Sequence, residues 1–438
     1  MLFLRSLLIL LAAATIALGE NFTPETAAVF ALRHNKDLIA ARHLIAEAEG
    51  RLVQAGLWNN PEFELRTDLD LRRSDGDRIY EGGFMQRFPW SGRLARARAV
   101  ARVDVAMAIE ELRDKERLLA GSVLAKARAL LVVERKLRLN DENRELLNRI
   151  YQQTSTLTAA GKASAAEARV IELEQTTLGL SRETLVVERQ SNLAELNGLL
   201  GRAPDEAVSL RGALPPAPGA ATLQSAAVGA ISRRPDRQLA ALQIDKSQAE
   251  QRLAKVERWE DIGIGAGVTR EREEGMYDTM VGLTVSVPLP LWNRNQGRVA
   301  ETQAAQQRAT AGVEALDLAI ATEIREAQAR VTGLAGVLTR TRGPAIELAR
   351  QTTRLNEETY AAGTGSFLTV FESRKQRLAI EQAAIDTEEQ LATAITDWET
   401  RSAFFPTSVR AALASEGRRT RKATAAKSVL TPASRPSR

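Results

Sequence analysis

Pro61-Glu62-Phe63-Glu64-Leu65-Arg66-Thr67-Asp68-Leu69-Asp70-Leu71-Arg72 alternates without a break: odd positions are apolar or Thr, and every even position is charged. Successive side chains of an extended strand point to opposite faces, so this stretch makes a ribbon with one oily and one charged face. A polar turn, Arg73–Arg78, leads into a second strand over Ile79–Phe88, where Tyr80, Gly82, Phe84 and Phe88 share a face with Gln86 as the exception. The pattern returns two hundred residues later. Ile262, Ile264, Ala266 and Val268 alternate with Gly263, Gly265 and Gly267; a charged loop Arg270–Asp278 follows; then Val281, Leu283, Val285 and Val287 alternate with Gly282, Thr284 and Ser286. Four strands are expected, at about 61–72, 79–88, 261–269 and 279–288.

The two hairpins sit in a chain that repeats itself. Asp37 aligns with Asp236, Ile45 with Ile244, Ala55 with Ala254 and Pro89 with Pro288. Ala159-Ala160-Gly161-Lys162-Ala163-Ser164 is echoed by Ala361-Ala362-Gly363-Thr364-Gly365-Ser366. Each half reads helix, β-hairpin, very long helix, Gly turn, helix, which is one supersecondary plan used twice. A first helix is expected from Thr23 to Leu57, with Thr23-Pro24-Glu25 as cap and first turn. No Pro occurs between Pro89 and Pro204, and Val105, Leu112 and Leu119, then Val123, Leu130 and Leu137, recur every seven residues. A helix from Gly92 to Leu157 would be roughly 100 Å long at 1.5 Å per residue, more than a compact domain uses. Its counterpart, Asn295 to Tyr360, contains Gly343-Pro344, where a kink is expected. The expected organisation is a signal peptide at 1–19, a first repeat at 20–200, a Pro/Gly-rich linker at 201–222, a second repeat at 223–405 and a disordered basic tail at 406–438.

Composition agrees with long helices joined by narrow seams: 438 residues, 4% aromatic, 14 Pro. There is no Cys, which excludes disulfides, thiolate catalysis and Cys-based zinc sites. The two His, His34 and His43, fall on opposite sides of one predicted helix and read as packing or surface residues. The net charge of +5 is concentrated in the tail, which holds eight Lys/Arg against one Glu from Arg410 onward. Arg5, an apolar run Leu7–Leu18 and the small residues around Gly19 form a secretory signal, too short to span a membrane. Export makes a nucleic-acid role for the basic tail an unfavoured reading.

Strands of this length cross a bilayer when tilted, and Trp58, Trp90, Trp259 and Trp292 stand at the four helix–strand junctions, where a membrane barrel places its interfacial aromatics. Four strands cannot close a barrel, and lipid forbids open edges. A trimer would supply twelve.

The chain resembles the TolC-type outer-membrane efflux factors over nearly all of its mature length. The resemblance lies in the duplicated helix–hairpin–helix plan, in Pro288-Leu289-Pro290-Leu291-Trp292-Asn293-Arg294-Asn295-Gln296-Gly297, and in Tyr360-Ala361-Ala362-Gly363-Thr364-Gly365-Ser366-Phe367-Leu368-Thr369-Val370. Gln86-Arg87-Phe88-Pro89-Trp90-Ser91-Gly92-Arg93 looks like the first-half counterpart of the Pro-rich segment. The wording is most similar to members serving heavy-metal cation pumps. The resemblance implies a mainly α fold with a small transmembrane β-barrel portion: a homotrimer with a twelve-strand barrel in the outer membrane and a long α-helical tube in the periplasm. It implies docking to a periplasmic adaptor and an inner-membrane transporter, through tips that carry Ala160, Gly161, Ser164, Ala362, Gly363 and Ser366. Family members place acidic gate residues six and nine positions after the turn Gly. Here those positions hold Glu167 and Val170, then Thr369 and Glu372, half of the acidic pattern. The lipidated N-terminal Cys of many relatives has no counterpart.

The sequence shows no phosphate-binding Gly loop, nucleophile–base pair or metal-ligand cluster, and Glu110-Glu111 and Glu388-Glu389 read as solvated helix faces. A passive conduit without cofactor is expected, not an enzyme. An exported coiled-coil periplasmic scaffold, and a protein-secretion conduit on the same fold, are the alternatives.

Overall fold

Thr23 opens the first helix by accepting from Thr26 N at 3.2 Å, while Thr26 Oγ1 accepts from Thr23 N at 2.7 Å and Pro24 supplies a fixed φ at the first helical position. The computed structural model describes residues 21–69, 78–160, 164–273, 276–362 and 364–429. The expected signal peptide, most of the first hairpin's turn, Gly161 and Gly363 lie outside them. The elements in chain order are β1 (Asn21–Phe22), α1 (Pro24–His34), α2 (Lys36–Gln54), β2 (Glu62–Leu69), β3 (Arg78–Phe88), α3 (Arg93–Ala159) and α4 (Ala165–Leu200). There follow β4 (Ser209–Leu210), α5 (Ala220–Val228), α6 (Ala230–Arg233), α7 (Pro235–Glu257), β5 (Ile262–Glu273) and β6 (Met276–Ser286). Helix α8 (Gln296–Arg340), a π-helical turn (Thr341–Ala345), α9 (Ile346–Ala361), α10 (Phe367–Ser402) and α11 (Thr407–Val429) complete the chain. Helix predominates. Among the described residues no helix is long and apolar enough to cross a membrane.

The elements gather into two compact units. One is drawn from residues 40–112 and 235–317 and holds a four-stranded antiparallel sheet in the order β2-β3-β5-β6. Register puts Phe63, Phe84, Ala266 and Leu283 in one cross-strand row, and Leu65, Gly82, Val268 and Val281 in the next on the same face. The hairpins join through β3 and β5, and among the described residues β2 and β6 each have no strand on their outer side.

The other unit is drawn from residues 1–39, 113–234 and 318–438 and is helical apart from the short parallel pair β1–β4. One core cluster packs Phe22, Ala27, Ala28 and Ala31 against Val123, Leu124, Ala127 and Leu130 of α3, Leu196 and Leu200 of α4, and Phe405 and Val409. A second cluster sets Leu223 and Ala226 against Ala327, Val331, Leu391, Ile395 and Trp398. Small Ala faces let the helices approach closely, so a chain poor in aromatics still fills its seams.

Three expectations need correcting, and the irregularity expected at Gly343-Pro344 takes a specific form. The first helix is two, because Asn35 turns extended at φ −60°, ψ 128°. Its Oδ1 accepts from Leu38 N and its Nδ2 donates to Leu199 O, both at 2.9 Å, so it ends one helix, caps the next and ties both to α4. The charged loop Arg270–Asp278 is strand for most of its length, since Arg270 and Arg272 lie over the Tyr277 ring at 4.3 and 5.6 Å from its centroid. At Gly343-Pro344 the helix widens into a π turn in which Ile346 N bonds back to Thr341 O. The wider turn absorbs the N–H that Pro344 lacks. Residues 407–429, expected within a disordered tail, form α11, which buries Val409 and Ala412 and docks along α1.

The linker expected at 201–222 starts at Gly201, whose φ of +76° closes α4, with Arg202 N bonded to Asn197 O at 2.9 Å. Asn197 is fully buried and donates to Pro204 O and Glu206 O, which fixes the path of the linker to β4.

Candidate functional site

The sheet separates its chemistry by face. Beside the apolar rows, Leu65 is 71% exposed and Leu283 75%. The opposite face carries Glu62, Glu64, Arg66 and Asp68 of β2, and Gly83, Gly267 and Gly282 share the row of Glu64. A Cβ built on Gly83 would stand 3.2 Å from Ala266 O, and one on Gly267 3.2 Å from Gly82 O. On the apolar side a Cβ on Gly82 would meet only Leu65 Cδ1, at 3.6 Å. Strands β3 and β5 therefore crowd toward the polar face, and glycine is what permits it.

At the strand ends, Trp58 packs edge-on to Phe88 with centroids 5.8 Å apart, and Trp90 edge-on to Trp259 at 5.5 Å. Trp90 Nε1 donates to Glu260 O at 3.0 Å, and Arg93 Nη2 meets Asp261 Oδ2 at 2.7 Å. Trp292 is 86% exposed. The Asn293-Arg294-Asn295-Gln296 motif has a local meaning. Asn295 adopts a left-handed φ of 60°, its N–H is accepted by Asn293 Oδ1 at 3.1 Å, and its Nδ2 donates to Ala254 O at 2.8 Å. That amide satisfies a carbonyl in the last turn of α7 while its own backbone starts α8.

At the tips, Ala160 is exposed, and Ser164 caps α4 by accepting from Ala166 N at 3.2 Å. Ala362 ends α9, Thr364 N and Gly365 N both bond to Thr359 O, and Ser366 caps α10 by accepting from Thr369 N at 3.4 Å. Of the gate candidates, Glu167 is half-buried in the first turn of α4, while Thr369 and Glu372 are exposed on α10. Thr369 Oγ1 also lies 3.4 Å from Ser366 Oγ, which engages it with the cap.

Sequence reading passed over Phe371. It joins Leu147, Ile171 and Leu178 in a small core and stacks on Phe367 at 5.9 Å, and Phe367 in turn lies edge-on to Tyr360. The i, i+4 spacing of the two Phe residues was the available signal. It also passed over Arg128, whose Nη1 donates to Glu399 Oε2 at 2.7 Å and to Thr396 Oγ1 at 2.6 Å inside the helical unit. Burial pushes the Glu399 carboxyl above the usual carboxylate range, and Arg128 opposes that shift. No local pattern relates two residues so far apart in the chain. Among the described residues no three His, Cys, Asp or Glu side chains converge as metal ligands.

Residues 227–397 match the family described as outer membrane efflux protein. The cobalt-zinc-cadmium resistance protein CzcC of Cupriavidus metallidurans is 24% identical over 287 residues, 63% of this chain. The match spans 65% of that relative, less than two thirds of its length. Among solved structures, the outer membrane protein VceC of Vibrio cholerae superposes with a TM-score of 0.68 at 16% identity, over 86% of this chain and 95% of that one. CusC, whose structures concern transmembrane channel formation, gives a TM-score of 0.69 at 16% identity, over 88% and 95%. The two structures establish a shared fold.

Proposed function

We propose that this chain, which belongs through residues 227–397 to the outer membrane efflux protein family and resembles its TolC-type members, is the outer-membrane channel of a tripartite efflux system: a passive conduit and not an enzyme. The observation that carries the reading is the sheet, with an apolar face bared to its surroundings and two edges, β2 and β6, that have no strand partner among the described residues. In lipid every backbone group must be paired, so a four-stranded sheet needs copies of itself. Three copies supply twelve strands, within the range of known barrels. The crowding of Gly83 and Gly267 toward the charged face supports that face as the inside of the barrel. Trp58, Trp90, Trp259 and Trp292 are its interfacial belt.

In this reading the paired repeats build a trimeric periplasmic tube around one axis. The tips at Ala160, Gly161, Ser164, Ala362, Gly363 and Ser366 meet a periplasmic adaptor, which links the tube to an inner-membrane transporter. Glu372, with Thr369 and Glu167 near it, forms the periplasmic aperture. The likeness to a cobalt-zinc-cadmium resistance protein supports divalent heavy-metal cations as the cargo.

The test is to express the full chain with its signal, extract the outer membrane with detergent, and measure the mass of the purified species and its conductance in planar bilayers. A trimer with stepwise conductance is expected. Deleting the gene should lower tolerance to zinc, cobalt and cadmium. A protein recovered without detergent, monomeric and silent in bilayers, would overturn the channel.

A further inference from the structure

The apolar face of the sheet changes its chemistry toward the hairpin turns. At the end nearer the helices, β3, β5 and β6 give that face Phe88, Ile262, Ile264 and Val285, and no cation. Toward the turns, Val268 gives way to Arg270 and Arg272, which lie over the Tyr277 ring at 4.3 and 5.6 Å from its centroid. On β3, Tyr80 is the register partner of Arg270, and Arg78 that of Arg272. The carboxylates of the same stretch go the other way. Glu271 pairs with Asp278 in the intervening row, which belongs to the charged face. Among the described residues neither guanidinium has a carboxylate partner, and Arg272 Nε is buried without a hydrogen bond.

A ring face attracts a cation, but it leaves the N–H donors in the guanidinium plane unpaired. Two like charges gathered at one ring also repel each other. A phosphate answers both needs, since its oxygens accept from guanidinium groups and its charge offsets theirs. The level of the pair on the sheet says where that phosphate would come from. Ten residues separate Ile262 from Arg272. At about 3.4 Å per residue this is roughly 34 Å of strand, or about 26 Å across a bilayer at a tilt of about 40°, against an apolar band about 25 Å tall. The Arg pair therefore stands at the boundary opposite the junctional Trp residues, with Tyr80 and Tyr277 as the aromatics of that boundary. Strand β5 lies inside the sheet, so a copy joined at β2 or β6 leaves Arg270 and Arg272 uncovered.

We propose that Arg270, Arg272 and Tyr277 form a lipid site on the outer wall of the channel, which takes the phosphorylated headgroup of an outer-leaflet glycolipid. The inference rests on the channel reading, which turns the apolar face to lipid and the hairpin turns to the outside, and adds a ligand to it. The two guanidinium groups donate to phosphate oxygens, and the Tyr277 ring holds both in place. Directly toward the helices, Val268 and Val281 pair in register and are 46% and 81% exposed, a bare row for the acyl chains. An acidic protein would match the charge but would have no use for that row.

The full chain is purified in detergent, stripped of lipid and titrated with lipid A while native mass spectrometry counts the lipids bound. Saturable binding is expected, weakened about tenfold when the phosphates of lipid A have been removed. Arg270→Gln with Arg272→Gln should weaken binding of intact lipid A by about the same factor, while trimer mass and conductance match the parent. Equal binding of lipid A with and without its phosphates by the unaltered chain would overturn the site, and that result needs no variant to fold. Undiminished binding by the Gln pair in a conducting trimer would overturn it as well. Displacement of lipid A by an equal concentration of inorganic phosphate would mark a site for free anions, and the inference would fall. In each of these cases a conducting trimer leaves the channel reading standing. If the unaltered chain is monomeric and silent in bilayers, the channel reading itself fails and takes the lipid site with it.

Discussion

Arg128 on α3 and Glu399 on α10 lie 271 positions apart in sequence and meet inside the helical unit, both almost fully buried, Nη1 to Oε2 at 2.7 Å with a second contact, Nη2 to Oε1, at 3.3 Å. Thr396 accepts a further Arg128 proton. The pair stands beside the C-terminal end of α10, where Arg117 donates to Thr400 O at 2.8 Å and Arg234 to Arg401 O at 3.4 Å. Guanidinium groups thus hold carbonyls that the helix itself leaves open.

Breaking that pair should be costly. Glu399→Leu leaves a buried guanidinium without its counter-charge and should destabilise by about 3–5 kcal/mol, whereas Arg128→Met with Glu399→Leu should recover most of the loss. The pH dependence has a definite sign. Burial raises the folded carboxyl above its unfolded value, so the folded chain holds that proton to higher pH than the unfolded chain. The contribution of this group is fully present below the unfolded pKa and declines as pH rises through the folded one. Urea titrations from about pH 4 to about pH 8 should show that decline in the parent and a flatter profile in the double variant.

Ala403 follows α10 in the left-handed region, φ 51° and ψ 34°, where a Cβ is unfavourable. Phe404 N bonds back to Glu399 O at 3.0 Å, so the turn is held by the chain around it. Ala403→Gly should stabilise by roughly 0.5–1 kcal/mol, net of the freedom glycine gains when unfolded. Differential scanning calorimetry of the detergent-solubilised protein checks it. A lower Tm would show that the turn carries no strain.

The two faces of the sheet should respond unequally to charge. Leu283→Arg places a cation on the apolar face and should cost on the order of 2–4 kcal/mol if that face meets the bilayer midplane. Asp68→Asn, on the polar face, should be mild. The readout is the yield of membrane-extracted trimer, and equal yields would remove the lipid-facing assignment.

Glu372 is exposed on α10. Three copies brought to one aperture would attract cations, and Glu372→Gln should lower cation selectivity and block by divalent cations in single-channel recordings. Thr369→Ala should change neither, because Thr369 is engaged with the Ser366 cap. Traces identical to the parent would place the aperture elsewhere.

Sequence alone determined whatever depends on the period of a local pattern. The charged-apolar alternation from Glu62 defines a strand and its two faces because side chains of an extended chain alternate. The seven-residue recurrence of Val123 and Leu130 defines a helix and its buried stripe, and both are fully buried in α3. Only the tertiary structure decided what depends on a distant partner. Asn35 breaks a helix because Leu199 offers it a carbonyl 164 positions away, and α11 forms where Val409 finds the Phe405 and Leu200 core. The hairpins join through Phe84 and Ala266, and Arg128 finds Glu399, by contacts that no window of neighbouring residues contains. Local pattern fixes backbone direction and which face is apolar; pairing across the fold is set by which surfaces meet when the chain closes, and that depends on all of it at once.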